Sequence, residues 1–274
     1  MQASTVLFRF AAVVASAVTL CSAAANNARL NAIVNAASYQ TGPIAPGEMV
    51  SLFGQGLGPA EGVQPTVTLN SGLPTELANV QVTFDGKPAP LLYVQDSLIN
   101  AVVPWSLRVD VGLGPFGGTT TEICVVYIKA MSNCLERSVN NVAPGVFTAD
   151  GVHAVALNQD GSLNSVKNPA KSGSTVSIFA TGLGPISPGQ PDGSIVKSPL
   201  PMNLVQWNVG YLSGTLQTGS FFTQIEVTDQ GPVLFEPAGV SQISFKAGWN
   251  VLQLGGRNQY ANVFSPTFQI WIAP

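Results

Sequence analysis

Pro46-Gly-Glu-Met-Val-Ser-Leu-Phe-Gly-Gln-Gly-Leu-Gly-Pro59 returns further along the chain as Ser172-Gly-Ser-Thr-Val-Ser-Ile-Phe-Ala-Thr-Gly-Leu-Gly-Pro185. The offset is constant: Gly47 maps to Gly173, Val50 to Val176, Ser51 to Ser177 and Phe53 to Phe179. The closing turns correspond as well, Gly56, Gly58 and Pro59 with Gly182, Gly184 and Pro185. A repeat spaced by a domain's length predicts two copies of one fold rather than a solenoid of short units.

Working outward, helical periodicity is almost absent. Short alternating or apolar runs are punctuated by Gly, Pro, Asn and Asp, which predicts an all-β chain. Expected strands in the first half are Met49–Phe53, Val80–Phe84, Pro90–Val94, Leu98–Val103, Ile123–Lys129 and Leu135–Asn140. In the second half they are His153–Leu157, Thr175–Thr181, Phe222–Thr228, Val233–Glu236, Gln242–Phe245, Val251–Leu254 and Thr267–Ile272. Asp85-Gly86 reads as a hairpin turn, where glycine supplies positive φ. So many short strands predict sandwiches. The boundary is placed in Val142–Gly151, and Pro185–Pro201 is expected to be a loop over the surface.

Residues 1–25 have the layout of a secretory signal peptide: Arg9, a short apolar run from Phe10 to Leu20, and Ala23-Ala24-Ala25 for cleavage. Cys21 suggests a lipoprotein, but Leu20 stands where a lipobox wants a small residue. The mature chain is expected to begin near Asn26, giving domains over 26–148 and 149–274 with no transmembrane segment. Charged residues make up 9% of the chain against a usual share of about 25%. The apolar share of 46% can fill a core, which a disordered chain could not do. A net charge of -3 without a basic run speaks against nucleic acid as a partner.

After cleavage Cys124 and Cys134 remain. In an oxidising compartment an even pair flanking a strand and turn is most simply a disulfide. Closing so short a loop contributes roughly 2–3 kcal/mol. A metal site lacks further ligands, since His153 is the sole histidine.

Pro-Gly-x-x-Val-x-Leu-x-Gly-x-Gly-Leu-Gly, followed by Val80–Ala89, Leu91-Leu-Tyr93 and Ile99–Pro104, resembles the IPT/TIG immunoglobulin-like domain. The chain more closely resembles the Solibacter-type C-terminal domain family of exported bacterial proteins. That likeness rests on Val34-Asn-Ala-Ala-Ser-Tyr39, the two Gly-Leu-Gly-Pro turns and Ala143-Pro-Gly-Val-Phe147. It implies paired immunoglobulin-like domains and export, and carries over no catalytic residue. The second copy departs from the pattern: Asp229-Gln-Gly-Pro232 stands for the cleaner Asp-Gly turn, and Trp207–Phe222 holds a Gly/Ser/Thr-rich stretch.

Chemistry is sparse. Gly54-Gln-Gly-Leu-Gly58 lacks the third spaced glycine and following helix of a dinucleotide loop, so it reads as a turn. His153 could serve as a base only beside a nucleophile and a carboxylate, and no G-x-S-x-G elbow occurs. A glycosidase needs two carboxylates facing across a cleft, and most of those here fall at predicted turns. Asn158–Ser162 resembles a calcium loop but lacks the closing bidentate Glu.

Four tryptophans stay ambiguous between core and sugar-stacking platform. Trp271 reads as core, while Trp105 and Trp249 are the expected exposed ones, with Tyr211 as a further stacking candidate. The leading expectation is an exported, non-catalytic module without cofactor, serving a structural or protein-interaction role at the cell surface. Its partner would be a protein or a polysaccharide, docking on strand edges or end loops. A carbohydrate-binding module is the alternative, and a hydrolase the third reading.

Overall fold

The structure, a computed structural model, describes residues 28–68, 71–107, 109, 119–186, 188–198, 206–213, 221–225, 227–232, 237–248, 251–257 and 262–273. Among these residues every regular element is a strand, and no helix is long and apolar enough to cross a membrane. The expected signal peptide lies outside the described residues.

Alternation decides which face each strand buries. In β3 (Val80–Phe84), Val80, Val82 and Phe84 point inward and are fully buried, while Gln81 and Thr83 stay partly exposed. The first half also holds β1 (Arg29–Asn35), β2 (Met49–Gln55), β4 (Lys87–Pro88), β5 (Leu91–Val94), β6 (Leu98–Val102), β7 (Thr120–Tyr127), β8 (Ala130–Met131) and β9 (Leu135–Ser138). They form two antiparallel sheets, β1-β2-β6-β5 and β4-β3-β7-β8, with β9 also on β7. Leu52, Leu91 and Ile99 from one sheet meet Val82, Phe84 and Ile123 from the other in one apolar core. Each such side chain taken fully from water contributes about 1.5–3 kcal/mol.

The second half repeats the plan with β10 (Gly145–Val146), β11 (Ala156–Asn158), β12 (Thr175–Thr181), β13 (Gln206–Ser213), β14 (Phe221–Ile225), β15 (Val227–Pro232), β16 (Val240–Lys246), β17 (Val251–Arg257) and β18 (Asn262–Gln269). One sheet runs β10-β12-β16-β15 with β11 also on β12, the other β14-β13-β17-β18. Val176, Ile178, Ile243 and Phe245 face Val209, Leu252, Leu254 and Phe268 across a second core. The registers correspond too. Val50 pairs Ala101 and Leu52 pairs Ile99, as Val176 pairs Phe245 and Ile178 pairs Ile243.

Several expectations change. β1 and β13 are strands that the sequence did not announce. The expected strand Phe222–Thr228 is two strands in different sheets: β14 pairs β13, and β15 pairs β16. Asp229–Pro232 therefore lies in a strand and is no turn. Val233–Glu236 lies outside the described residues. The expected strand over Ile123–Lys129 ends at Tyr127, because Ile128 and Lys129 both take positive φ and turn the chain into β8. Asp85-Gly86 does make a turn of that kind, but its hairpin is short and Leu91–Val94 crosses to the other sheet. Inside the boundary stretch Val142–Gly151, Gly145 and Val146 already pair Thr181 and Ala180 of the second sheet pair.

Cys124 and Cys134 are joined in a disulfide with a Cα–Cα distance of 4.4 Å. The link closes an interruption in the strand returning beside β7. Val126 pairs Met131 before it and Ile123 pairs Leu135 after it. Between them Ser132 fills the ladder, its Oγ accepting from Val125 N at 3.0 Å.

Candidate functional site

Val34–Tyr39 and Ala143–Phe147, together with the first copy of the repeat, meet where the halves join. The end of β1 turns sharply at Asn35. Its Oδ1 accepts from Ala37 N at 2.9 Å and Ser38 N at 3.1 Å, and its carbonyl accepts from Tyr39 N at 2.9 Å. This turn leaves Tyr39 at φ 55°, a left-handed conformation unusual for a bulky residue. The Asn35 amide nitrogen then donates twice, to Glu48 Oε1 at 2.9 Å and to the Ala143 carbonyl at 3.1 Å. Asn35 thereby ties its own strand, the first repeat and the connecting segment together. Gly145 passes so close that a Cβ there would lie 2.1 Å from Asn35 Oδ1.

Glu48 is fully buried, and its Oε2 accepts from Ala45 N at 2.7 Å. Burial pushes its carboxyl up to about 8, against the downward pull of the Ala45 and Asn35 donors. At neutral pH it is mostly a neutral acid. The residue at the same place in the second repeat is Ser174, which is partly exposed.

Above this polar floor lies a cleft of about 270 Å³ between the halves. Ser38, Gln40, Thr41 and Asn140 line it with hydroxyls and amides, and Pro43, Pro144, Phe264 and Pro266 with apolar surface. Among the described side chains, Tyr39 (59%) and Phe264 (44%) are the exposed aromatics. Phe264 is in the cleft wall, and Tyr39 stands between two wall residues.

The remainder of the junction is closely fitted. Met49 N donates to Thr181 Oγ1, which donates onward to the Gly239 carbonyl, both at 2.9 Å. Within the Pro185–Pro201 segment, expected over open surface, the described residues 188–198 form a strap across the first half. Leu73 N donates to the Gly193 carbonyl at 2.8 Å and Ser106 Oγ to Asp192 Oδ2 at 2.8 Å, while Ile195 and Val196 are buried. Trp105 is consequently no free platform. Its ring lies over Gly47 and packs against Ile186, Val196 and Ala238 of the second half.

The other sequence candidates fall elsewhere. Trp249 is outside the described residues, and Tyr211 lies on β13. His153 stacks on Trp271 with ring centroids 4.1 Å apart and 9° between planes. Its Nδ1 sits 2.7 Å from Asp150 Oδ2. Asp150 is held down at about 2, first by the His153 backbone N–H, then by the His153 ring, then by the Val152 N–H. The imidazole thus gives its Nδ1 to Asp150 and one ring face to Trp271.

Glu122, Cys124 and Cys134 lie close together, but the two sulfurs are joined and cannot serve as thiolate ligands. A second cleft of about 400 Å³ is lined by Asn158, Gln159, Asp160, Asn168 and Lys171. Its amides are spent on the loop itself: Asn158 Nδ2 donates to the Asn168 carbonyl, and Asn168 Nδ2 to Ser162 Oγ. Asp160 Oδ1 accepts from Ser162 N and Oγ, so Asn158–Ser162 is a plain turn.

No protein-family model and no curated protein matches the chain. Among solved structures it is similar to the plexin A4 full extracellular region, at 12% identity and TM-score 0.29, covering 91% of this chain. The chain spans only 19% of that plexin region. It is also similar to the D00-D0 domain of intimin, at 12% identity and TM-score 0.20, covering 90% of this chain and 100% of that one. Domains 4 and 5 of the S-layer protein SbsC give 8% identity and TM-score 0.21, with 90% and 100% coverage. Similarity at this level leaves the fold to be argued from the sheets and cores themselves.

Proposed function

We propose that this chain is an exported, non-catalytic surface module made of two tandem immunoglobulin-like sandwiches of the IPT/TIG kind, held as one rigid unit. The observation that carries the reading is the repeated sheet order, β1-β2-β6-β5 and then β10-β12-β16-β15, with the two halves bolted through Thr181, Asn35 and the Asp192–Val196 strap. Such a unit sets a fixed distance and angle between its ends, which suits a structural or protein-interaction role. The disulfide supports an oxidising compartment. The resemblance to the Solibacter-type C-terminal domain family fits the same role.

Fractionation of cells producing the chain tests this. The exported form should begin at Asn26, lie outside the cytoplasm, and show no thiol reactive at Cys124 or Cys134 without a reductant. A cytoplasmic chain that retains residues 1–25 and has both thiols reactive would overturn it.

A further inference from the structure

The junction cleft has the make-up of a sugar site, and we infer that it binds a short stretch of a neutral polysaccharide. The inference rests on reading the junction as an interaction surface; it does not depend on export. Four observations carry it. Of the two exposed aromatics among the described side chains, Phe264 is in the cleft wall, and Tyr39 lies in the chain between the wall residues Ser38 and Gln40. An aromatic face holds the C–H surface of a pyranose. Together with Phe264 the wall offers Gln40, Thr41 and Asn140, whose amides and hydroxyl match the alternating donors and acceptors of sugar hydroxyls. Among its described lining there is no Lys, Arg or His, and its one acid is sealed beneath the floor, so an anionic glycan has nothing to pair with.

The third observation is size and position. A cleft of about 270 Å³ falls just below the usual span of ligand pockets, roughly 300 Å³ upward, and lies between two packed bodies where such sites concentrate. It suits one or two rings of a chain running across the surface. Fourth, its geometry is set in advance. Asn35 spends both amide protons and its Oδ1 on fixing the floor, and Tyr39 is held at φ 55° beside it. A rim fixed in this way loses little freedom on binding. The larger cleft at Asn158–Lys171 lacks an aromatic in its lining and has its amides tied up internally.

The purified chain with its disulfide intact is titrated with neutral hexasaccharides of β-1,4-glucan, xylan, mannan and chitin while backbone amide signals are followed. Concentrations reach ~10 mM, enough to fill a site of Kd ~1 mM. At least one hexasaccharide should shift the amides of residues 38–42 and 140–143, and Tyr39→Ala and Phe264→Ala should each weaken that binding about tenfold. Because both side chains are exposed, these variants should keep the wild-type melting temperature. Leu163→Ala, another exposed side chain, should bind as the wild type does. The inference is overturned if no hexasaccharide shifts these amides, or if shifts cluster at 158–171. Unchanged affinity in both aromatic variants, or a proline-rich peptide shifting the same amides where sugars do not, would also overturn it. Each of these outcomes leaves the fractionation test of export to stand or fall separately.

Discussion

The two copies of the repeat share a backbone and differ in what lies over it. Gly47 and Gly173 both take φ 77°. Gly47 N donates to the Val103 carbonyl and Gly173 N to that of Ala247; Val103 N and Ala247 N return bonds to residues 48 and 174. In the first copy Trp105 covers the glycine and a buried acid follows it. In the second, the glycine is open and the next residue is a partly exposed serine. The motif is therefore a backbone device for starting a central strand. What is particular to the first copy comes from the junction built on top of it, which turns a generic strand start into the floor of a cleft.

Glu48 should give the largest contrast. Its pKa is raised from 4.5 to about 8 in the folded chain, so its stabilising neutral form is fully present below 4.5 and is lost as pH rises to about 8. Above that, the stability lost is on the order of 4 kcal/mol. Thermal melts from pH 5 to 9 should fall steeply in the wild type. Glu48→Gln should flatten the slope, with the two curves crossing. Ser174→Ala should leave the wild-type slope as it is. Parallel curves for Glu48→Gln and wild type would refute the buried neutral acid.

Alanine in place of the paired glycines separates backbone strain from crowding. At Gly173 the left-handed φ alone should cost about 1–2 kcal/mol, since open space surrounds it. At Gly47 a Cβ would lie 2.1 Å from the Trp105 ring, adding overpacking of about 1–3 kcal/mol. Urea melts giving equal losses would mean that Trp105 does not cover Gly47.

Replacing Cys124 and Cys134 with alanine removes a restraint that only the first half has. A loss of roughly 2–3 kcal/mol is expected, with amide exchange accelerated in β3, β7 and β9 and not in β12 or β16. Uniform acceleration would show that the halves unfold as one. The smallest effect belongs to Asp150, whose lowered pKa means that its contribution is lost as pH falls towards 2. Asp150→Asn should slightly flatten the acid side of the stability profile, and should free the His153 ring from Trp271 in aromatic NMR contacts.

How much of this could be read from the sequence follows the range of the forces involved. β3 and β12 match their expected bounds because alternation is local, and the Cys124–Cys134 pair is legible because its partners lie only 10 residues apart, across one turn. β1 was missed because Arg29, Asn31 and Asn35 interrupt its apolar residues. β14 and β15 read as one strand in the sequence, since no residue type marks a change of sheet between Phe221–Ile225 and Val227–Pro232. In the sequence nothing sets Glu48 apart from the other carboxylates. Its burial comes from Asn35 and the connecting segment, far apart in sequence. Trp105 reads as exposed in the sequence for the same reason: the strap and Gly47 that cover it are remote along the chain.

The central claim is that the repeated sandwiches are locked into one body through the junction. Residual dipolar couplings of backbone amides in a weakly aligning medium test it most directly. The account predicts a single alignment tensor that fits the described strands of both halves together. Two tensors of different magnitude, one for each half, would contradict it.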